Sequence, residues 1–555
     1  MRSRTELLLL VACCAFLLFY GLGAFGLVGA DEPRYAQVAR EMLDRGDWVT
    51  PTLNGKPWLE KPPLYYWQAM LSYRVARASS PANAVPVNDG VTEQTARLPG
   101  AIDAALMIAA IYFFLRRRKL RDDRSSIALD AALITASCVG VIAFAHAAST
   151  DMPLTATFTI AMLAWYAWYE NQRKTSLAIF YLCLALGMLA KGPIAPALAA
   201  IIVVLFAATK RDWKLLLRTL CLPGIALFFI VALPWYVAVQ MRNPDFFRVF
   251  ILEHNLARFS TNVYHHPQPF WFYLPVFLLA AMPWTLWLIL AIIERLRLIW
   301  RERHEAFTGP QPFASEDDSW ALFLLLWMIV PVLFFSASQS KLPGYILPAV
   351  PAAALLVTEY LAERRERQAK ISLPLAITHG LLCGALIFAA LSAASVAYTH
   401  HLTFGPVPRF AAAISVIFAI GMAAAFVMGA GLQMLRPVTM LAAILSVAAV
   451  IRLAAPAIDA TQSSRPIAQA IQQFSHEPVP VALYRVGRTP QYGLDFYLNR
   501  ATQSYDSGQI PAEAHLLVAA ANTSTDFTTL IPGRKVSYLT SLPARRLELY
   551  WIGKK

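Results

Sequence analysis

Apolar stretches of about 20 residues recur along most of the chain and limit its possible folds more than any other feature. A helix of that length spans the roughly 30 Å hydrocarbon core of a bilayer. Of the 555 residues, 57% are hydrophobic and only 15% are charged, whereas a soluble globular protein has about 25% charged residues. The composition therefore excludes a soluble enzyme, a disordered chain and a disulfide-rich secreted domain. It predicts a polytopic membrane protein.

We predict an α-helical membrane bundle with about thirteen transmembrane helices within residues 1–454. The predicted spans are 7–28, 99–115, 127–148, 152–169, 175–190, 193–209, 217–239, 270–293, 320–338, 344–361, 374–398, 407–431 and 437–454. Arg2 and Arg4 precede the first segment, as in a signal peptide. Its apolar core is too long for one, and an acidic motif follows it, so we interpret the segment as a span.

The basic residues predict how the bundle is oriented. The net charge of +14 could indicate nucleic-acid binding, but Lys and Arg lie beside the apolar segments and cluster in alternate loops, at 116–119, 210–211, 295–303 and 364–367. The four short loops on the other side contain only three such residues: Lys191, Lys341 and Arg409. Because cytoplasmic loops are rich in Lys and Arg, we expect a cytoplasmic N-terminus, an outward-facing C-terminus and no nucleic-acid partner.

Three regions then face outward and are long enough to build a site: a loop at 30–98, a loop at 240–269 and a tail at 455–555. In the tail, Val479–Tyr484 and Leu516–Ala520 have the alternation of strands, and Pro466–Phe474 has the pattern of a short helix. We therefore expect a small soluble α/β domain at 455–555.

Charged residues are absent from the interiors of the predicted spans and gather at their outer ends. Ion-coupled carriers normally keep carboxylates near the middle of the membrane. The distribution therefore weakens a transporter interpretation and favours chemistry at the outer surface.

Carboxylates begin two of the outward helices. Asp31-Glu32-Pro33-Arg34-Tyr35 opens the first outer loop and is followed by apolar residues at helical spacing, which predicts an amphipathic helix along the membrane. Asp151 begins the fourth predicted span. Asp31 and Asp151 could simply cap their helices, or they could place two carboxylates at one cleft. The sequence alone does not decide between these alternatives.

Two outer lysines lie beside residues that restrict the backbone. Glu60-Lys61 precedes two prolines, and Lys341 precedes a Pro-Gly pair. A lysine at headgroup depth can bind a lipid phosphate. The alternatives are a solvated Glu60–Lys61 ion pair and a Lys341 side chain that merely extends to the interface. Aromatic residues near these sites, including Trp58, are interpreted as an interfacial belt.

The second outer loop contains two neighbouring histidines, His265 and His266. Two imidazoles and a carboxylate can bind Zn²⁺, although a bare His-His pair is a weak signal. No glycine-rich nucleotide-binding loop occurs in the sequence, so a nucleotide cofactor is not indicated.

These groups suit one class of reaction. A sugar linked through phosphate to a long lipid can be presented at the outer surface, and displacement at its anomeric carbon needs cations that stabilise the leaving phosphate. Lys61, Lys341, Arg258 or a metal ion could supply them. Asp31 is the first candidate to orient the acceptor or to remove its proton.

At these residues the sequence resembles the lipid A aminoarabinose transferases, a family of the GT-C superfamily, which also includes protein O-mannosyltransferases. The matching stretches are Asp31–Ala36 (DEPRYA), Trp58–Tyr66 (WLEKPPLYY), Ser149–Pro153 (STDMP), Ala190–Pro193 (AKGP), Glu253–Phe259 (EHNLARF) and Ser340–Pro348 (SKLPGYILP). The DE pair is shared across GT-C enzymes, whereas WLEKPPLYY together with SKLPGYILP is specific.

The resemblance implies a GT-C glycosyltransferase in the bacterial inner membrane with a periplasmic active site. Such an enzyme would transfer 4-amino-4-deoxy-L-arabinose from undecaprenyl phosphate to a lipid A phosphate with inversion, and so give resistance to polymyxin and other cationic peptides. Membrane lipids, the lipid-linked donor and lipid A are the implied partners, and the oligomeric state is left open. Two alternatives remain: a GT-C transferase for another polyprenyl-phosphate sugar, such as galacturonic acid or mannose, and a lipid flippase without chemistry.

Carried over by position, the resemblance gives residues of this chain their roles. Asp31 and Asp151 become the catalytic carboxylates. Glu60, His265 and His266 become a metal site, for which the ligand types favour Zn²⁺. The remaining residues become contacts for the lipid phosphate or the sugar: Arg34, Tyr35, Lys61, Arg258, Lys341 and Tyr345.

Overall fold

A computed structural model of the chain describes residues 2–79, 90–118, 124–257, 268–305, 316–399, 406–426, 428, 431–474 and 479–554. The helices of the first half are α1 (Arg2–Cys14), α2 (Asp31–Arg45), α3 (Leu64–Ser79), α4 (Glu93–Arg117), α5 (Arg124–Ser137), α6 (Val139–Ala145), α7 (Asp151–Asn171), α8 (Lys174–Lys191), α9 (Ile194–Lys210), α10 (Lys214–Thr219) and α11 (Leu222–Arg242). A two-stranded hairpin, β1 (Thr52–Leu53) and β2 (Lys56–Pro57), lies between α2 and α3.

The helices of the second half are α12 (Tyr273–Ala280), α13 (Thr285–Glu305), α14 (Glu316–Ser336), α15 (Val350–Glu366), α16 (Leu373–Thr399), α17 (Pro406–Ala425), α18 (Leu435–Ala449), α19 (Ala455–Gln462), α20 (Arg465–Phe474), α21 (Arg488–Leu498) and α22 (Phe527–Leu530). The strands are β3 (Val481–Tyr484), β4 (Gln503–Ser504), β5 (His515–Ala520), β6 (Val536–Leu542) and β7 (Leu547–Ile552). Short 3-10 or π-helical segments occur at Ala15–Phe19, Arg248–Ala257, Phe270–Phe272, Pro343–Ala349, Val450–Ala454, Tyr505–Ser507, Ser524–Asp526 and Pro543–Arg545.

Within the described residues, eight helices are long and apolar enough to cross a membrane: Glu93–Arg117, Lys174–Lys191, Leu222–Arg242, Ser319–Ser336, Pro343–Glu366, Leu373–Thr399, Pro406–Ala425 and Leu435–Gln462. Two bent pairs, Ser126–Ser137 with Val139–Ala145 and Phe270–Ala280 with Thr285–Leu298, bring the number to ten if each pair is one span. Each of the thirteen predicted segments overlaps a helix. Their number as membrane spans is not confirmed, since α9, for example, is a shorter apolar helix of 17 residues.

The C-terminal α/β fold was predicted correctly. The strands predicted at Val479–Tyr484 and Leu516–Ala520 are β3 and β5, and the predicted helix is α20. The sheet has the order β4-β3-β5-β7-β6, in which β3 pairs in parallel with β4 and β5 while β7 pairs antiparallel with β5 and β6. Alternate residues of the strands enter two apolar clusters, so the sheet is covered on both faces.

Helix α2 joins the C-terminal sheet domain to the membrane bundle. The predicted helix is present, and nine of its fifteen residues are buried, because it packs against α3 on one side and against α21 on the other. Arg40 Nη1 donates a hydrogen bond to the carbonyl of Phe496 at 2.7 Å, and the backbone N–H of Leu27 donates to the Tyr497 hydroxyl at 2.8 Å. The helix that carries Asp31 is therefore fixed between the two domains.

Candidate active site

Asp31 lies in the first turn of α2 and remains accessible. Its side chain is 54% exposed, and Oδ1 accepts a hydrogen bond from Arg34 Nη2 at 2.5 Å. The N-cap of α2 is Ala30, so the interpretation of Asp31 as a capping residue is wrong. The carboxylate is instead held by Arg34, one turn further along the same helix.

Glu32 points the other way and is buried against Arg97. The Arg97 side chain is 1% exposed, and its Nη2 and Nε donate to the two Glu32 oxygens at 2.8 and 3.1 Å. The same oxygens accept the backbone N–H groups of Val28 and Ala148, each at 2.8 Å. A buried pair with all of these bonds fixes the start of α2 to the loop that precedes α7. Glu32 is therefore a structural residue that positions Asp31.

Asp151 begins α7 and meets the end of α8. Thr150 is the N-cap of α7 and Asp151 is the first helical residue, so Asp151 is not a capping residue either. Asp151 Oδ1 forms an ion pair with Lys191 Nζ, whose side chain is 12% exposed. Lys191 Nζ also lies 4.6 Å from the centroid of the Tyr345 ring. The SKLPGYILP segment approaches the carboxylate so closely that a Cβ on Gly344 would lie 2.8 Å from Asp151 Cγ.

Tyr35 connects these two groups of residues. Burial raises the pKa of the Tyr35 phenol, and the charges of Asp31 and Asp151 raise this pKa further. Both carboxylates therefore act on the same hydroxyl, which stays protonated and can donate a hydrogen bond. Neither carboxylate is an N-cap, and the charges of both reach the Tyr35 phenol; that they belong to one catalytic cleft stays a prediction.

Aromatic rings surround the Arg34 guanidinium. Its Cζ lies 4.9 Å from the Trp58 ring centroid, 5.3 Å from that of Tyr35 and 5.4 Å from that of Tyr492. Trp58, interpreted from the sequence as part of an interfacial belt, thus also packs on Arg34. Tyr492 belongs to α21, so the C-terminal domain contributes a side chain to the site.

Three polar groups around Arg34 have no hydrogen-bond partner among the described residues: Arg34 Nε, the Trp58 indole N–H and the Tyr66 hydroxyl. Buried polar groups in native proteins are nearly always bonded. Burial raises the pKa of the Tyr66 phenol, and the nearby Glu60 and Asp31 carboxylates add to the rise, so its hydroxyl keeps its proton. Sugar hydroxyls or phosphate oxygens are acceptors that could satisfy all three donors.

Glu60 is carried by the segment that follows the β1–β2 hairpin. Glu41 holds the hairpin turn by accepting the backbone N–H groups of Asn54 at 2.7 Å and Gly55 at 3.1 Å. Glu60 Oε1 lies 3.7 Å from His254 Nε2. Burial works to lower the pKa of Arg34, but the Asp31 and Glu60 carboxylates and the hydrogen bond with Tyr35 raise it. Glu60 therefore lies at the edge of the site, where it faces the EHNLARF segment.

The two lysines predicted to bind phosphate have different surroundings. Lys61 directly follows Glu60 and is half-buried. Lys341 is buried, and its Nζ donates to the carbonyl of Ser338 at 2.5 Å. The side chain is thus folded back onto its own segment and does not extend to an interface.

The predicted metal site is only partly within the described residues. His265, His266 and the phosphate-binding candidate Arg258 all lie outside them. Within the described ranges, no group of three or more His, Cys, Asp or Glu residues could hold a metal ion. Glu60 and His254 supply two ligand types suited to Zn²⁺, which is too few for a protein site. The metal therefore stays a prediction that the described residues do not support.

Sequence reasoning missed several residues of the site, namely Lys191, Tyr66, Trp58, His254 and Tyr492. Lys191 has a local signal, because it precedes a Gly-Pro pair in the AKGP stretch that carries the family resemblance. In the structure Gly192 adopts φ 86° and ψ −155°, a conformation that favours glycine. Tyr66 and His254 lie in stretches that carry the family resemblance. Tyr492 has no such signal, since only the packing of α21 on α2 brings it to Arg34.

Curated relatives match most of the chain. The undecaprenyl phosphate-alpha-4-amino-4-deoxy-L-arabinose arabinosyl transferase of Pseudomonas paraeruginosa is 33% identical over 398 residues, which are 71% of this chain and 65% of the relative. The protein of the same name from Aeromonas salmonicida is 31% identical over 419 residues, 74% of this chain and 70% of the relative. The chain belongs to this aminoarabinose transferase family. It spans less than two thirds of the length of the Pseudomonas relatives it matches, 65% and 60% in two of them.

Wider comparisons concern the fold. Residues 4–250 match the dolichyl-phosphate-mannose-protein mannosyltransferase family. The crystal structure of ArnT from Cupriavidus metallidurans bound to undecaprenyl phosphate superposes with a TM-score of 0.74 at 21% identity, over 98% of this chain and 97% of that one. The archaeal oligosaccharyltransferase AglB from Archaeoglobus fulgidus has a TM-score of 0.52 at 10% identity, over 95% and 70%. The predicted fold, a GT-C-type helical membrane bundle with a small C-terminal α/β domain, is confirmed.

Proposed function

We propose that this protein transfers 4-amino-4-deoxy-L-arabinose from undecaprenyl phosphate to a lipid A phosphate and so confers resistance to polymyxin-type peptides. One observation carries the proposal beyond family membership: the carboxylates that begin α2 and α7 are each paired with a cation, Asp31 with Arg34 and Asp151 with Lys191, and the charges of both raise the pKa of the buried Tyr35 phenol. Two carboxylates, the Lys191 ammonium group and unsatisfied donors around Arg34 are the polar groups of the proposed site.

The chemistry is a displacement at the anomeric carbon of the sugar. An oxygen of the lipid A phosphate forms the new bond to the anomeric carbon, the bond from this carbon to undecaprenyl phosphate breaks, and the leaving phosphate keeps the electron pair. This direct displacement inverts the configuration at the anomeric carbon. A phosphomonoester has a second pKa of about 6, so the acceptor is already anionic near neutral pH and needs no proton removed. Asp31 then orients the acceptor or binds the ammonium group of the sugar.

Cations assist the departure of the donor phosphate. Lys61, Lys341 and Arg258 are the proposed phosphate contacts, while Arg34, Tyr35 and Tyr345 contact the sugar or the phosphate. Asp151 would act together with Lys191, with which it is paired. Preorganised charges of this kind lower the barrier because they need no reorganisation during the reaction.

We place the site at the periplasmic face of the bacterial inner membrane, with the N-terminus in the cytoplasm, because the Lys and Arg clusters fall in the opposite loops. Two exposed lysines test this orientation, Lys56 in the hairpin and Lys174 at the start of α8. A membrane-impermeant thiol reagent should label Lys56→Cys from the periplasm and Lys174→Cys only after lysis. The reverse pattern would reject the orientation.

Mass spectrometry of lipid A tests the proposed activity directly. Cells that express the gene should contain lipid A heavier by one aminopentose per modified phosphate than cells that lack it. An increment of a hexose or a hexuronic acid would instead assign a GT-C transferase for mannose or galacturonic acid. Lipid A of unchanged mass would reject transfer to lipid A.

The variant D31N separates an enzyme from a flippase. We expect D31N to abolish the product while undecaprenyl phosphate still binds, because the variant changes only the charge of one exposed side chain. D44N is the matched control, since Asp44 lies at the far end of α2 and pairs with Arg77 at 2.8 Å. Full activity of D31N would remove Asp31 from the mechanism. Lipid movement without any product in the wild-type protein would favour the flippase.

The Zn²⁺ prediction has its own test. Elemental analysis of the purified protein should find a divalent metal in stoichiometric amount that is lost in His265→Ala. A metal content that does not differ between the two proteins would reject these ligands.

A further inference from the structure

We propose that Tyr492, in the C-terminal α/β domain, is a positioning residue of the transfer reaction, an inference that rests on the proposed function. The Tyr492 ring holds the Arg34 side chain in the orientation in which it pairs with Asp31. The C-terminal domain is then part of the active site and not merely attached to it.

The geometry at Arg34 supports this role. Cζ of Arg34 lies 5.4 Å from the Tyr492 centroid and 4.9 Å from the Trp58 centroid, both within the range of cation–π attraction. The end of the same guanidinium, Nη2, donates to Asp31. Rings from two different domains therefore restrict the Arg34 side chain, which bonds the candidate catalytic carboxylate.

The restriction matters because burial holds only one partner of the Asp31–Arg34 pair: 15% of the Arg34 side chain is exposed, against 54% of the Asp31 side chain. An ion pair with one solvated partner by itself fixes little. A rotamer change of Arg34 would move its charge away from Asp31 and from Tyr35. The rings around Arg34 supply the order that the ion pair lacks.

The placement of Tyr492 is fixed by the rest of α21. Asp495 and Phe496 follow Tyr492 by three and four residues, so the three residues share one face of the helix. Asp495 Oδ2 accepts from Asn54 Nδ2 at 2.9 Å, and the Phe496 carbonyl accepts from Arg40 at 2.7 Å. The face that carries Tyr492 is thereby bonded both to the hairpin and to α2.

Kinetics of the full-length protein with the lipid-linked aminoarabinose donor and lipid A test this role. We expect Y492A to lower kcat/KM by about 2- to 30-fold, the range that corresponds to the loss of one cation–π contact, with the loss mainly in kcat. Y492F keeps the ring and should recover most of this activity. The matched control is Y538A, because Tyr538 lies on edge strand β6 of the same domain with 58% of its surface exposed.

A double-mutant cycle with R34K separates a positioning role from a general structural one. If Tyr492 acts through Arg34, Y492A should lower kcat/KM by a much smaller factor in the R34K background than in the wild type. Equal fold-losses in both backgrounds would overturn the proposal, as would an unchanged Y492A or a Y492F as impaired as Y492A. If R34K has no measurable activity, the comparison of Y492A with Y492F in kcat decides. An inactive wild-type protein would instead refute the proposed function.

Discussion

Adjacent carboxylates at the start of α2 differ in what they do for the protein. Glu32 is buried with Arg97, whereas Asp31 is exposed. Removing one partner of a buried ion pair costs about 3–5 kcal/mol, so we expect E32Q to lower the free energy of unfolding by about that amount. D31N should change this free energy by less than about 0.5 kcal/mol. Denaturant unfolding of both variants in detergent measures the difference, and equal stabilities would contradict the structural role of Glu32.

Lys191 is the cation that the structure adds to the predicted site. Hydrogen bonds to charged groups contribute about 1.5–3 kcal/mol, so K191Q should lower kcat/KM by about 10- to 150-fold by leaving Asp151 without its cation. K174Q is the control, because Lys174 lies exposed at the opposite end of α8. Steady-state kinetics with the lipid-linked donor measure both variants. Wild-type rates for K191Q would show that the ion pair is not needed.

Local sequence patterns predicted individual helices and strands, but they did not predict which of these elements contact one another. The apolar periodicity predicted the helices at α2 and α20, and alternation predicted β3 and β5, because these signals arise from nearest neighbours. The meeting of α2 with α7 depends on Glu32, whose carboxylate bonds the backbone of Ala148. No sequence pattern encodes that contact, since 116 residues separate the two.

The close approach of Gly344, in the SKLPGYILP segment, to Asp151 at the start of α7 can be tested by substitution. A methyl group on Gly344 would lie 2.8 Å from Asp151 Cγ and from the Phe144 ring. Overpacking costs about 1–3 kcal/mol, so G344A should displace Asp151 or the segment and lower kcat/KM by about 5- to 150-fold. G421A is the matched control, because nothing lies within 4 Å of a Cβ at that helical position. Comparable kinetics of the two alanine variants would show that the site tolerates the displacement.

For the whole molecule, composition and charge distribution predicted the class, while the family motifs supplied candidate site residues whose roles stay predictions. The contact between the two domains could not be predicted from the sequence, because Arg40 and Phe496 are 456 residues apart and meet only in the folded chain. Tyr492 was missed for the same reason. The position of Tyr492 beside Arg34 results from the packing of α21 on α2, which the sequence around Tyr492 does not indicate.

This joining can be tested through Arg40, whose side chain is buried between the domains. Besides its bond to the Phe496 carbonyl, its Cζ lies 4.5 Å from the Phe496 ring centroid. Loss of a charged hydrogen bond, about 1.5–3 kcal/mol, should let α21 open more often, so R40A should speed amide exchange in 488–498 by about 10- to 150-fold. Because Tyr492 would leave Arg34 in the opened state, transfer activity should fall as well. R488A, exposed on the same helix, should change neither quantity, and exchange rates in R40A equal to those of R488A would show that the domains are held together elsewhere.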